Sequence, residues 1–287
     1  MRKCMWTSYF IDLSPEEAVR LFAAEGWTDL ELSTEHGAAL LERGDPAATG
    51  ERFLRLCADL GVSVPQGHLK LTADIARPDP ARRQEELEEL KHWLDLFAAL
   101  GILAAVLHPG GPNCLQGEEP SQAVLDANVE SLAQLTRHTG GGPPTICLEN
   151  GPNAGRLLAL IEAVGGEGLG ICFDTGHLGL LRAKDPGAGQ SERDFIVQAG
   201  RHLKALHIAD NDGSGDQHLL PYEGGAVDWR SVMQGLKEIA YDGPFNFEVP
   251  GESGWGEPLS MQQRMDKLDR AVRIAHRLIE TTGASLA

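Results

Sequence analysis

The chain has 287 residues, a formal net charge of −17 and 42% hydrophobic side chains. That length suits one large domain or two small ones, and the composition supplies a sizeable core. The acidic excess is a poor match to a nucleic-acid backbone, which wants Lys and Arg along a groove, and no apolar run approaches the roughly 20 residues of a membrane span.

The start, Met1-Arg2-Lys3-Cys4-Met5-Trp6, is briefly basic. It lacks the apolar stretch and small-residue cleavage site of a signal peptide. Cys4–Phe10 reads as a first strand. Ser14-Pro15-Glu16-Glu17 opens a helix: Ser caps, Pro takes the first turn and Glu17 completes a capping box. Gly26 ends it, and Trp27–Ser33 is the second strand. Glu51–Leu60 is a helix stopped by Gly61, and Val62–His68 a strand. Pro80–Leu100 is a long helix with Leu87, Leu90, Leu94 and Phe97 on one face. Gly101 stops it, and Ile102–His108 is the fourth strand. Ser121 caps a helix over Gln122–Thr139. Gly140-Gly141-Gly142-Pro143-Pro144 is a breaker before the fifth strand.

The second half repeats the pattern, and each apolar run ends on a metal-binding side chain. Thr145–Leu148 ends at Glu149, and Asn153–Val164 is the next helix. Leu169–Phe173 ends at Asp174, followed by a helix over Ser191–His202. Ala205-Leu206 ends at His207, and Asp228 caps a helix over Trp229–Ala240. Phe245–Phe247 ends at Glu248, and Ser260–Thr282 closes the chain as a long helix. Eight strands alternating with helices predict an α/β fold, a (β/α)8 TIM barrel of parallel strands with right-handed crossovers. Residues 1–287 are read as one such domain, because no composition shift marks a boundary. Five cysteines without C-x-x-C spacing point to reduced thiols and a cytoplasmic protein. Cys147 and Cys172 read as small core hydrophobes.

In a barrel of this kind the carboxyl ends of the strands form the catalytic mouth. Glu149, Asp174, His207 and Glu248 would therefore converge, and three carboxylates with one imidazole suit a divalent cation. Without a cation, like charges in one cleft repel and lose their hydration. Five further polar residues fall near strand ends: His68, His108, His177, Asp216 and His218. A lone buried His is more often a hydrogen-bonded core residue than a ligand, so these are candidates for substrate contact or additional metal. His92, His138, His202 and His276 lie on expected helices, and His36 in an expected loop. Trp6, Phe10 and Trp255 could face a sugar ring or simply pack. The glycine runs are turns rather than phosphate cradles, and Glu85–Glu89 is a solvated helix face.

These residues resemble the sugar phosphate isomerase/epimerase family, within the xylose isomerase-like TIM barrel superfamily. The most specific segment runs His207-Ile208-Ala209-Asp210-Asn211-Asp212-Gly213, then Asp216-Gln217-His218-Leu219-Leu220-Pro221, then Gly224-Gly225-Ala226-Val227-Asp228-Trp229. Leu148-Glu149-Asn150, Phe173-Asp174-Thr175-Gly176-His177 and Tyr241-Asp242-Gly243-Pro244 fit it as well. The resemblance implies that Glu149, Asp174, His207 and Glu248 hold one catalytic divalent metal: manganese first, with magnesium, cobalt or zinc as substitutes. It implies no organic cofactor. Glu149 and Glu248 would be the acid/base pair, a small sugar the substrate, and a homodimer or homotetramer the assembly. The same superfamily contains endonuclease IV, a zinc-dependent phosphodiesterase. All nine ligand types of its three-zinc cluster have counterparts here, in the tetrad and in His68, His108, His177, Asp216 and His218. The surroundings differ from the endonuclease pattern: Asn150 is followed by Gly151-Pro152-Asn153, and Gly176 stands where a Cys is usual. The expectation is a metal-dependent isomerase or epimerase that abstracts a proton next to the carbonyl of a ketose or related α-hydroxycarbonyl sugar, through a metal-stabilised enediolate. The alternative is a metal-dependent hydrolase or lyase on the same scaffold.

Overall fold

Eight parallel strands form the inner wall of the computed structural model, which describes residues 1–111, 120–149, 153–184, 190–251 and 259–282. They are β1 (Arg2–Trp6), β2 (Asp29–Leu32), β3 (Ser63–His68), β4 (Ala104–Leu107), β5 (Thr145–Glu149), β6 (Leu169–Asp174), β7 (Leu203–His207) and β8 (Pro244–Phe247). The ladder runs β7-β6-β5-β4-β3-β2-β1-β8. Ile208 closes the remaining gap: its N–H donates to Asn246 O at 2.7 Å, and its carbonyl accepts from Glu248 N at 3.2 Å. The expected (β/α)8 barrel is thus the observed one.

The helices wrap the outside: α1 (Pro15–Ala24), α2 (Thr34–Leu41), α3 (Pro46–Asp59), α4 (Pro80–Leu100), α5 (Gln122–His138), α6 (Ala154–Val164), α7 (Thr175–Lys184), α8 (Glu192–Ala199), α9 (Trp229–Glu238) and α10 (Met261–Thr282). Their ends follow local chemistry. Ser14 and Glu17 form the expected capping box of α1, and Asp79 caps α4 ahead of Pro80. Gly101 ends α4 at φ 73°, a left-handed conformation that suits a residue without Cβ. The helices bury Phe22, Leu90, Phe97, Phe195 and Leu268 against the outside of the strands, each such side chain contributing about 1.5–3 kcal/mol. A separate small-residue layer of Ala104, Val106, Cys147, Cys172 and Ala205 fills the barrel interior. Among the described residues, no helix is long and apolar enough to cross a membrane.

Four elements differ from the sequence expectation. The first strand stops at Trp6, and Thr7–Phe10 turns into a buried 3-10 segment, tied to the next strand end by Ser33 N–H donating to Thr7 Oγ1 at 2.9 Å. His36 lies in α2 rather than a loop; Ser33 caps that helix, and its buried face includes His36 and Leu40. Beyond β6 an extra helix, α7, carries His177. The segment expected as a helix over Ser191–His202 is α8 followed by a 3-10 turn, Gly200–His202, with Gly200 at φ 52°.

Candidate metal centre

Side chains alternate along a strand, and this places the candidate ligands. Each interior strand position at the mouth has an interior neighbour two residues earlier. Glu149 stands above Cys147, Asp174 above Cys172, His207 above Ala205, and His108 above Val106, the earlier residues being members of the small interior layer. The structure brings all nine predicted site residues to the carboxyl end of the barrel. They fall into three groups whose ligand atoms lie within 4.8 Å of one another: Glu149, Asp174, His207 and Glu248; His68, His108 and Glu149; and His177, Asp216 and His218. Glu149 belongs to two of them.

The tetrad surrounds one nitrogen. His207 Nδ1 lies 3.1 Å from Glu248 Oε2, 3.5 Å from Glu149 Oε1 and 4.0 Å from Asp174 Oδ2. The other groups connect to it. His108 Nε2 lies 2.6 Å and His68 Nε2 3.4 Å from Glu149 Oε2. His177 Nδ1 lies 3.1 Å from Glu149 Oε1, and its Nε2 lies 3.5 Å from Asp216 Oδ2. His218 Nε2 is 3.2 Å from the same Asp216 oxygen.

The outward ring nitrogens are occupied. His68 Nδ1–H donates to Leu69 O at 2.8 Å, and His218 Nδ1–H to Glu248 O at 2.7 Å. His207 Nε2–H donates to Glu31 Oε1 at 3.0 Å. In each ring the opposite nitrogen then presents a lone pair to carboxylate oxygens, an arrangement typical of metal-ligating histidines. His207 Nδ1 and His177 Nδ1 are buried and, among the described residues, make no hydrogen bond despite their carboxylate neighbours. Inward lone pairs facing carboxylates repel unless a proton or a cation lies between them. The donor set therefore fits a divalent metal.

Electrostatics describe the same crowding. Burial pushes Glu149 toward the neutral acid, but His108, His207 and His177 hold its carboxyl well below the usual range. Burial, reinforced by Glu248 and Glu149, pushes Asp174 up to about 7. Burial opposes the charged form of His218, yet Asp216 and Glu248 hold it up at about 9.

Two supporting residues escaped the sequence reading. Glu31 lies within the expected strand Trp27–Ser33 and Asp210 within the quoted His207–Gly213 segment, and neither is singled out there as a site residue. Asp210 is buried and holds the loop that carries Asp216 and His218. Its carboxylate accepts Asn211 N–H at 2.9 Å, Val227 N–H at 3.1 Å and Trp229 Nε1–H at 2.9 Å. A Cβ on Gly225 would stand 1.9 Å from Asp210 Cγ, so the loop closes only with glycine there. His218 itself sits at φ 49°.

Above the ligands is a cavity of about 210 Å³ whose other walls include Trp6, Thr34, Glu35 and Leu71. The Trp6 ring lies 6.5 Å from that of His218 at 24°. Phe10, the second candidate aromatic, is buried in the core against Tyr9 and Phe22. Trp255 and the Asn150-Gly151-Pro152 part of the quoted motif lie outside the described residues.

Fold and mouth together define a (β/α)8 barrel with residues that could hold metal at its catalytic end. The xylose isomerase-like TIM barrel family matches residues 19–278, and the chain belongs to that family. It is 31% identical to the uncharacterized protein y4fM of Sinorhizobium fredii over 176 residues, covering 59% of this chain and 54% of that one. The chain thus spans about half the length of the first curated relatives it matches. It is 29% identical over 207 residues to a probable endonuclease 4 of Nitratidesulfovibrio vulgaris, covering 68% and 72%. It is 24% identical over 255 residues to a ketose 3-epimerase of Arthrobacter globiformis, covering 85% and 80%. Among solved structures, D-psicose 3-epimerase in the presence of D-fructose superposes with a TM-score of 0.77 at 17% identity, covering 97% of this chain and 99% of that one; this likeness is one of fold.

Proposed function

We propose that the chain is a divalent-metal-dependent isomerase or epimerase acting on a ketose or a related α-hydroxycarbonyl sugar. One observation carries the reading: Glu149 and Glu248, from β5 and the end of β8, approach the same His207 nitrogen at 3.5 and 3.1 Å. Two carboxylates from separated strands thus flank one metal position beneath a small cavity. Glu149, Asp174, His207 and Glu248 would hold the ion, manganese being the first expectation. A divalent cation there polarises a substrate carbonyl and stabilises charge on adjacent oxygens.

The chain's own residues would do the rest. One of the two glutamates removes the proton on the carbon next to the carbonyl, and the other returns it to the opposite face or to the neighbouring carbon. Trp6 offers an apolar face to the sugar ring. His177 and His68 stand where they could hold substrate hydroxyls. The described cavity lining contains no Lys or Arg, which suits an uncharged sugar. The names of the ketose 3-epimerase and D-psicose 3-epimerase relatives support the same reaction class.

A second reading is favoured by a specific observation, the completeness of the other two groups, His68–His108–Glu149 and His177–Asp216–His218. With three ions the mouth would suit a phosphoester, and the chain would be a hydrolase of the kind the endonuclease 4 relative's name indicates. The deciding experiment incubates manganese-loaded protein with a panel of ketoses in deuterated water. Deuterium entering the carbon next to the carbonyl, with a new sugar formed, is the expected result. No exchange and no product, together with cleavage of an abasic or other phosphodiester by zinc-loaded protein, would replace the first reading with the second.

A further inference from the structure

We propose that Glu31 is a positioning residue for the metal centre, fixing the tautomer and angle of His207 so that Nδ1 faces the tetrad. The inference rests on the metal-dependent reading above and deepens it. Glu31 stands on β2, across the barrel from β7, and is fully buried. Its Oε1 accepts His207 Nε2–H at 3.0 Å, and its Oε2 accepts Asn246 Nδ2–H. Among the described residues His207 is the one basic side chain within 4.0 Å of the Glu31 carboxylate.

That placement is costly. A buried carboxylate loses its hydration and is kept only where hydrogen bonds compensate it, so well-packed apolar residues of similar volume would be the less demanding filling. Elsewhere in the barrel interior the chain uses Ala104, Val106, Cys147, Cys172 and Ala205, so small apolar filling is available to this fold. Beside His207 it instead sets a carboxylate, with Asn246 holding that carboxylate's other oxygen. An imidazole whose Nε2–H is committed to Glu31 has its lone pair on Nδ1, the atom that faces Glu149, Asp174 and Glu248. A cation drawing electrons through Nδ1 would in turn strengthen the Nε2–H bond to a negative acceptor. Glu31 belongs to none of the three metal groups, so its contribution is through His207.

Glu31→Gln separates this role from packing. The substitution keeps the shape and an acceptor for His207, and Asn246 Oδ1, which has no hydrogen-bond partner among the described residues, can turn to accept the new amide. Cobalt is titrated into metal-free wild-type protein, E31Q and E31L, with affinity read by chelator competition and geometry by the visible cobalt spectrum. The expected result is an affinity loss of about 10- to 100-fold in E31Q, a larger loss in E31L, and an altered spectrum in both, while the melting temperature of metal-free E31Q stays close to that of the wild type. Wild-type affinity and spectrum in both variants would overturn the proposal. Should E31Q fail to fold, N246S decides, because it releases Glu31 Oε2: weakened cobalt binding supports the proposal and wild-type binding overturns it. A wild-type protein that takes up no cobalt overturns the metal-dependent reading itself, and that failure is visible before any variant is compared.

Discussion

Asp174 and His177 are joined by a bond that makes one side chain serve two elements. Asp174 Oδ1 accepts the backbone N–H of His177 at 2.7 Å, as a helix N-cap does, while Oδ2 stands 4.0 Å from His207 Nδ1. The residue that closes β6 as a candidate ligand thus also starts α7. Asp174→Asn should separate the two roles. The amide oxygen keeps the cap, and loss of the charge relieves repulsion from Glu149 and Glu248. Metal-free D174N should melt at or above the wild-type temperature yet retain little metal. Asp174→Ala should lose metal and about 1 kcal/mol of stability with the cap. Thermal melts with and without chelator, alongside metal analysis, check both; a D174N that binds metal like the wild type removes Asp174 from the ligand set.

The two flanking glutamates carry the proposed proton transfers. Glu149→Gln and Glu248→Gln should each lower turnover by about 100- to 10,000-fold and abolish exchange of the substrate α-proton with deuterated water. The measurement is best made on metal-saturated variants, so that weakened binding is not mistaken for lost chemistry. Exchange retained in both variants would end the two-carboxylate scheme.

Metal count sets the charge of the mouth. Four carboxylates with neutral imidazoles carry −4 across the nine residues. Three divalent ions bring four more positive charges than one, so a three-ion mouth attracts phosphate far more strongly than a one-ion mouth, which suits a neutral sugar. The proposed function expects one tightly held ion per chain and no competitive inhibition by millimolar inorganic phosphate. Elemental analysis of purified protein and a phosphate inhibition series test this together. Three zinc ions with strong phosphate inhibition would favour the hydrolase.

Much of this was legible in the chain because ligands end apolar runs, and in a parallel barrel run ends share one rim. What escaped has physical causes. Glu31 sits in Asp29-Leu30-Glu31-Leu32, whose period of two marks one apolar and one polar face. That pattern cannot tell a solvent-facing side chain from one facing the interior of a closed barrel. Helix α7 was hidden by Gly176 and Gly179, poor helix formers, which are outweighed by the Asp174 cap and the burial of Leu178, Leu180 and Leu181. The number of metal groups depends on where the loop after β7 carries Asp216 and His218, and Asp210 arranges that through bonds to Val227 and Trp229 far along the chain.

His36 offers a pH prediction away from the metal ligands. Burial lowers its pKa below the ordinary 6.5, and the bond from its ring to Leu13 O at 3.1 Å only partly offsets this. The folded state therefore prefers the neutral ring. Its contribution is fully present above the unfolded-state value near 6.5 and is lost as pH falls below it, because the unfolded chain then binds a proton that the fold resists. His36→Gln removes that proton uptake. It should cost about 1–3 kcal/mol at pH 7.5 through poorer satisfaction of Leu13 O and packing. The difference from the wild type should narrow toward pH 5, by no more than about 1.4 kcal/mol per pH unit for one proton. Urea denaturation of metal-free wild type and H36Q across pH 5 to 8 provides the check, since the titrating groups of the mouth are common to both proteins and cancel in the difference. A gap that stays constant or widens on acidification would show that His36 takes up its proton in the fold as readily as in the unfolded chain.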